Sequence, residues 1–124
     1  MKRIALVAGL ALALALFATA AEAMTVRQFL TVAQTLPQNA TMMLHPEGRR
    51  LVSEVTGAVS ALKAEQAADI AAGRRPAHCI PSSGTGISPE ALMARLNAIP
   101  ASRRDISVLQ ALREWMAERY PCPS

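Results

Sequence analysis

Aromatic residues are scarce in this chain: one Trp, one Tyr and two Phe among 124 residues, 3% of the composition. A core built without large rings must come from Leu, Val, Ile, Met and Ala, and it is correspondingly thin. Two cysteines and two histidines leave little material for a metal centre. No basic stripe with interleaved aromatics exists, so the formal charge of +4 carries no nucleic-acid signature and reads as solubility. Strand patterns are missing too, since no run alternates apolar and polar positions with β-branched residues. The length excludes a β/α barrel or a multi-domain enzyme, and no internal repeat is present.

What the chain does have is an apolar start. Met1-Lys2-Arg3 is a short cationic opening, Ile4 to Phe17 carries no charge, and Ala21-Glu22-Ala23 places small residues where a leader-processing peptidase reads them. This is the three-part plan of a secretory signal peptide, cleaved after Ala23. The alternative is an uncleaved anchor, because the uncharged run from Ile4 to Ala21 is just long enough to span a membrane. No cysteine stands at the cleavage point to take a lipid. Cleavage removes much of the 52% apolar content, leaving 46 apolar residues in a mature chain of 101 and a charge of +3. The expectation is a periplasmic protein with no membrane attachment after processing.

The mature segment, residues 24–124, reads as one all-α domain of about four helices. Thr25 with Gln28 has capping-box spacing, and Val26, Phe29, Leu30, Ala33 and Leu36 form one helical face that Pro37 ends. Residues 38–46 are a connection containing Met42, Met43 and His45. A second helix starts at Pro46-Glu47 and runs to Ala72 with Leu51, Val55, Ala58, Val59, Leu62 and Ile70 inward, and Gly73 stops it. Gly57 lies inside that helix, where close packing of a neighbour or a bend would account for it. Residues 74–87 are an ordered loop. Ser88-Pro89-Glu90 opens a third helix with Leu92, Leu96 and Ile99 buried, closed by Pro100. Ser102 with Asp105 opens the last, which carries Ile106, Leu109, Leu112, Trp115, Met116 and Tyr120 on its apolar side.

Cys79 and Cys122 are the best-determined chemistry. Both fall in the exported part, and an even cysteine count in an oxidising compartment argues for a disulfide. Helix lengths agree: the third helix travels roughly 18 Å away from the Cys79 loop and the fourth returns about 27 Å, bringing Cys122 back to the same end. A Cys2His2 set of His45, His78, Cys79 and Cys122 matches no zinc spacing, so no metal and no cofactor are expected. A cysteine nucleophile at Cys79 with His78 or His45 as base needs a free thiolate that the bond removes. The acids Glu47, Glu54, Glu65, Asp69, Glu90, Asp105, Glu114 and Glu118 sit at helix starts or on helix surfaces, a pattern that does not suggest acid–base work. Trp115 and Tyr120 read as core anchors, and Arg49-Arg50 and Arg74-Arg75 as solvated helix ends. Arg103-Arg104 at a helix start opposes the helix dipole and hints at an outside partner.

Cys79-Ile80-Pro81, the serine-capped helix with Leu92 and Leu96, Pro100, Arg103, and the run ALREWMAERYPC ending at Cys122 together resemble the Rap/Tai-type immunity proteins. These are small periplasmic antitoxins against type VI secretion peptidoglycan amidases. The resemblance covers residues 77–122, whereas residues 24–73 share only helical character and their place before the first cysteine. It implies a helical, disulfide-tied domain, often dimeric and without catalytic activity, that plugs the active-site groove of an amidase partner. An inhibitor of this kind needs a rigid, pre-organised surface. The loop with Ser82, Ser83 and Thr85, and the connection with Met43 and His45, are the expected partner-binding segments. Two other classes compatible with the sequence are a general periplasmic protein-interaction module and an acid-stress holdase chaperone, which would shed structure near pH 2 to 3.

Overall fold

The computed structural model describes residues 23–124; the expected leader up to Glu22 lies outside the described residues. Four α-helices follow in order: α1 (Val26–Ala33), α2 (Pro46–Ala71), α3 (Pro89–Ala98) and α4 (Val108–Arg119). Two 3₁₀ turns, Ala40–Leu44 and Ala101–Arg103, sit in the connections. Among the described residues there is no β-strand, only one isolated bridge between Thr25 and Ser107. The fold is all-α, closed by a Cys79–Cys122 disulfide with a Cα–Cα distance of 5.0 Å.

The capping chemistry of α1 is as the sequence implies: the Thr25 side chain accepts from Gln28 N at 3.1 Å while Thr25 N donates to Gln28 Oε1 at 2.9 Å. Val26, Phe29, Leu30, Ala33 and Leu36 are all buried. α2, the long helix of 26 residues, buries Leu51, Ala58 and Leu62 against α1 and α4, with Val55 and Val59 half-covered. It stops as expected. Gly73 has φ +72°, its N–H donates to Ile70 O, and Arg74 N reaches back to Asp69 O, the paired bonds of a Schellman stop. Ser88 caps α3 by accepting from Ala91 N at 3.1 Å. α4 buries Val108, Ala111, Leu112 and Met116.

Four expectations are corrected. The last helix opens at Ser107, whose hydroxyl accepts from Gln110 N at 3.0 Å, and Ser102 lies in the 3₁₀ turn that precedes it. The spacing of a capping hydroxyl and a glutamine three residues on, Thr25 with Gln28 at α1's start, recurs here as Ser107 with Gln110. Arg103-Arg104 therefore does not face a helix N-terminus. Arg104 Nε and Nη2 bind Ile99 O and Asn97 O at 2.9 and 3.0 Å, closing the open carbonyls at the end of α3, and Arg103 pairs with Glu114. These arginines have inside partners and carry no sign of an outside one. Ile70 is 60% exposed, because the last turns of α2 run past the body they pack against.

The fourth correction concerns glycine. A Cβ at Gly57 would meet nothing within 4 Å. The close approach is at Gly48 in the first turn of α2, where a Cβ would fall 2.1 Å from Met42 O. Only a glycine lets the Ala40–Leu44 turn lie directly on α2, and Arg49 Nη1 then ties that turn down through Met43 O at 3.0 Å.

α1 and α4 start at the same place and complete each other. Val26 N and Arg27 N, two first-turn donors of α1 without intrahelical partners, donate to Ile106 O and Arg104 O at 2.9 and 2.8 Å. In return Val108 N, the first donor of α4, reaches Met24 O at 2.9 Å.

Two outcomes are expected from this architecture. Gly48→Ala should lower the melting temperature by 5 °C or more although alanine is the better helix former, while Gly57→Ala should raise it by about 2–6 °C; thermal unfolding of the two variants checks both signs. Opening the disulfide, by reductant or Cys79→Ser, should remove about 4 kcal/mol by the chain-entropy estimate for its separation of 43 residues, and lower the melting temperature by well over 10 °C.

Candidate functional site

The long α2 has one apolar flank that the other described residues leave uncovered. Phe29 and Ala33 of α1, Leu51 of α2 and Leu112 of α4 form the floor of a groove there, and Val52, Val55 and Val59 form one wall. Met42 and Met43 from the 3₁₀ turn and Ile87, Leu92 and Met93 from the start of α3 complete it, enclosing about 640 Å³. Glu90 is the one charged side chain in the lining. Flexible methionine side chains around a fixed floor suit an apolar group of irregular shape.

Each side of the groove has its own support. The methionine side rests on Gly48, as described above. The loop side is held from α4: Tyr120 OH donates to Thr85 O at 2.6 Å, and Arg119 Nη2 to Gly86 O at 3.4 Å. Cys79 N donates to Tyr120 O at 2.8 Å, so the disulfide and the tyrosine work on the same segment. Gly84 and Gly86 take φ values of +117° and +64°, which let the loop turn between these ties.

Of the residues expected to meet a partner, the structure brings Met43 and Thr85 to this one groove. Met43 is 43% exposed. His45, Ser82 and Ser83 are exposed but lie outside the lining; His45 takes the N-cap position of α2 without a side-chain cap bond. Sequence reasoning missed Phe29, Val52, Leu92 and Met93 as lining residues, because an apolar residue beside an unfilled groove looks like any other core residue. Val52 had a readable signal: it lies beside the Leu51–Val55–Ala58–Leu62 stripe and widens it toward solvent.

Glu90 aside, the titratable side chains lie outside the groove lining. His78 is 1% exposed, and its Nδ1 lies 3.1 Å from Gln66 Oε1. Gln66 also accepts from Ile80 N at 2.8 Å and donates through Nε2 to Ile80 O at 3.0 Å, which fixes its amide orientation. Since Oε1 only accepts, Nδ1 carries the hydrogen. Burial pushes the His78 imidazole below its ordinary pKa, against an opposing pull from Glu65. Arg113 binds Glu65 with 2.6 and 3.1 Å contacts, also meets Gln110 Oε1, and holds the Glu65 carboxyl below the usual range. Both thiols are spent in the disulfide. Among the described residues no three His, Cys, Asp or Glu side chains are grouped to hold a metal ion, and no helix is long and apolar enough to cross a membrane.

Compared with models of protein families, with curated proteins and with solved structures, the chain matches none.

The neutral His78 makes the fold acid-sensitive in a defined window. Its folded pKa lies below its unfolded one, so below about pH 6.5 the unfolded chain binds a proton that the folded chain refuses. Stability from this residue is complete above that pH and is lost as pH falls through the folded value; Glu65 adds a second loss as pH falls through the carboxylate range. Melting temperatures between pH 7.5 and 5.5 should fall in the parent. They should fall less steeply in His78→Asn, whose amide can still donate to Gln66.

Proposed function

We propose that this is an exported binding protein without catalytic activity, and that its apolar groove receives a projecting apolar element of a protein partner in the periplasm. The observation that carries this reading is the groove itself: about 640 Å³, apolar in lining, open at the surface, and braced on both sides by contacts of the protein's own chain. A surface already in its binding shape loses little conformational freedom on association. Methionine and valine at its mouth (Met43 and Val52, 43% and 39% exposed) supply apolar area that water leaves favourably.

The resemblance of residues 77–122 to Rap/Tai-type immunity proteins supplies the partner class, a peptidoglycan amidase delivered by a type VI secretion system. The protein then acts as the antitoxin, covering the amidase and blocking its catalytic groove. The engagement of both cysteines, the buried His78 and the carboxylates of Glu65, Asp69, Asp105, Glu114 and Glu118 in structural contacts is compatible with a purely binding role. A general periplasmic interaction module would use the same groove on another partner.

Candidate amidases encoded in the same genome should co-purify with the exported protein and lose hydrolytic activity on peptidoglycan when it is added. The double variant Met43→Asp, Val52→Asp places two charges at the groove mouth on positions exposed enough to keep the fold. It should weaken inhibition by about 30-fold or more, the scale of an interface hot spot, with the melting temperature within a few degrees of the parent. Inhibition undiminished in that variant rules out the groove as the contact. Capture of a partner that is not an amidase turns the reading toward the interaction module.

A further inference from the structure

Met24 is held more firmly than a residue at the edge of a domain usually is. Its side chain is 5% exposed, its carbonyl accepts from Val108 N at 2.9 Å, and Thr25 bridges to Ser107 beside it. Ala23, one residue earlier, is exposed. The Met24 nitrogen points at a carboxylate brought from the middle of α2, Glu54 Oε1, at 3.3 Å and thirty residues away. Glu54 is half-buried and, among the described residues, has no other hydrogen-bond or ion-pair partner. A half-covered carboxylate facing one weak amide donor is under-satisfied.

We infer that Glu54 is the seat of a new N-terminus, made when the Ala23–Met24 peptide bond is hydrolysed. Water adds across that bond: its oxygen stays on Ala23 as a carboxylate, and the nitrogen leaves with Met24 and takes up a proton. One N–H donor becomes an ammonium with three, and a positive charge faces Glu54 at hydrogen-bond distance. A free α-amino group is mostly charged at neutral pH. Processing thus adds an ion pair at the joint where α1 and α4 complete each other's first turns, and the mature chain is tighter than any form carrying residues before Met24. This rests on the export reading, which has its own readout below.

The test uses the full chain exported and processed in cells, beside a variant with Ala-Ser inserted between Ala23 and Met24. The insertion leaves the leader and its Ala21-Glu22-Ala23 site intact and moves the mature amine two residues away. Each is made with Glu54 and with Glu54→Gln, and N-terminal sequencing and thermal unfolding are measured on all four. Sequencing of the parent should begin at Met24. The inserted form should melt about 3–6 °C lower, Glu54→Gln should cost the parent a similar shift, and the two changes together should cost no more than either alone. A Met24 start with equal melting of parent and inserted forms, or with fully additive losses, overturns the inference and leaves export standing. A processed N-terminus at another residue overturns the inference alone, and an unprocessed chain that keeps the leader overturns the export reading and the inference with it. The insertion arm retains Glu54, so it decides the matter even if Glu54→Gln fails to fold.

Discussion

The Cys79–Cys122 bond joins a stretch of chain that makes no helix of its own to the segment just past α4, the helix that buries Val108, Ala111, Leu112 and Met116. Between Gly73 and Ser88 the backbone cannot satisfy itself, and it is held almost entirely by groups from elsewhere: Cys79 N on Tyr120 O, Tyr120 OH on Thr85 O, Arg75 on Cys122 O, and Gln66 on both polar groups of Ile80. The first three of these contacts depend on the loop and the chain end after α4 lying together, which the disulfide enforces even in the unfolded chain, while Gln66 holds the loop to α2. With so few aromatics, the core alone offers modest burial, and a cross-link that closes a long loop is proportionately more important. Without it the loop side of the groove has no fixed position, and α3, which begins where the loop ends, has no fixed start.

The opposite side of the groove answers to a steric constraint. Gly48 lets a backbone carbonyl lie where a methyl group would otherwise stand, so the methionine turn seats directly on α2. A joint of backbone hydrogen bonds between Met24–Arg27 and Arg104–Val108 then sets α1 against α4, under the floor formed by Phe29 and Leu112. Three unlike devices (a covalent bond, a missing side chain and a pair of shared helix starts) fix three sides of one cavity. Side-chain ion pairs contribute little to this, since none of the paired residues lines the groove and each pair has a partner more than 40% exposed.

Much of the scaffold was legible in the residues. Helix starts with a hydroxyl at the N-cap, the Gly73 stop and the disulfide depend on local chemistry or on chain length, and both are visible in a sequence. The misplacements have a common cause. Ser102 and Ser107 both offer a capping hydroxyl, and the choice fell to Ser107 because Val108 N meets Met24 O from the far end of the chain. Gly48 lies on the buried stripe of α2 and Gly57 half a turn round the helix from it, but only the approach of the Met42 backbone shows that a glycine is required at the first of them. Arg104 looked unpaired because its acceptors are carbonyls at the end of the preceding helix, which no side-chain pattern reports. The groove was legible only as two suspected segments, since a cavity is a statement about what fails to fill a space.

That last point bears on how such a surface arises in a small domain. Burial alone would favour closing the groove, because Val52, Val55 and Met43 leave apolar area in water. The chain does not collapse onto it, since each side is tethered away from the other: the methionine turn by Gly48 and Arg49, the loop by Tyr120 and the disulfide. The supports that stabilise the fold therefore also prevent its most favourable local repacking. Apolar exposure is maintained by the same contacts that determine stability, so a change that loosens either side should allow the groove to shrink as well as the fold to weaken. An open apolar groove held against its own tendency to close is what a binding protein requires, and it is this coupling, more than any single reactive group, that supports the binding role proposed above.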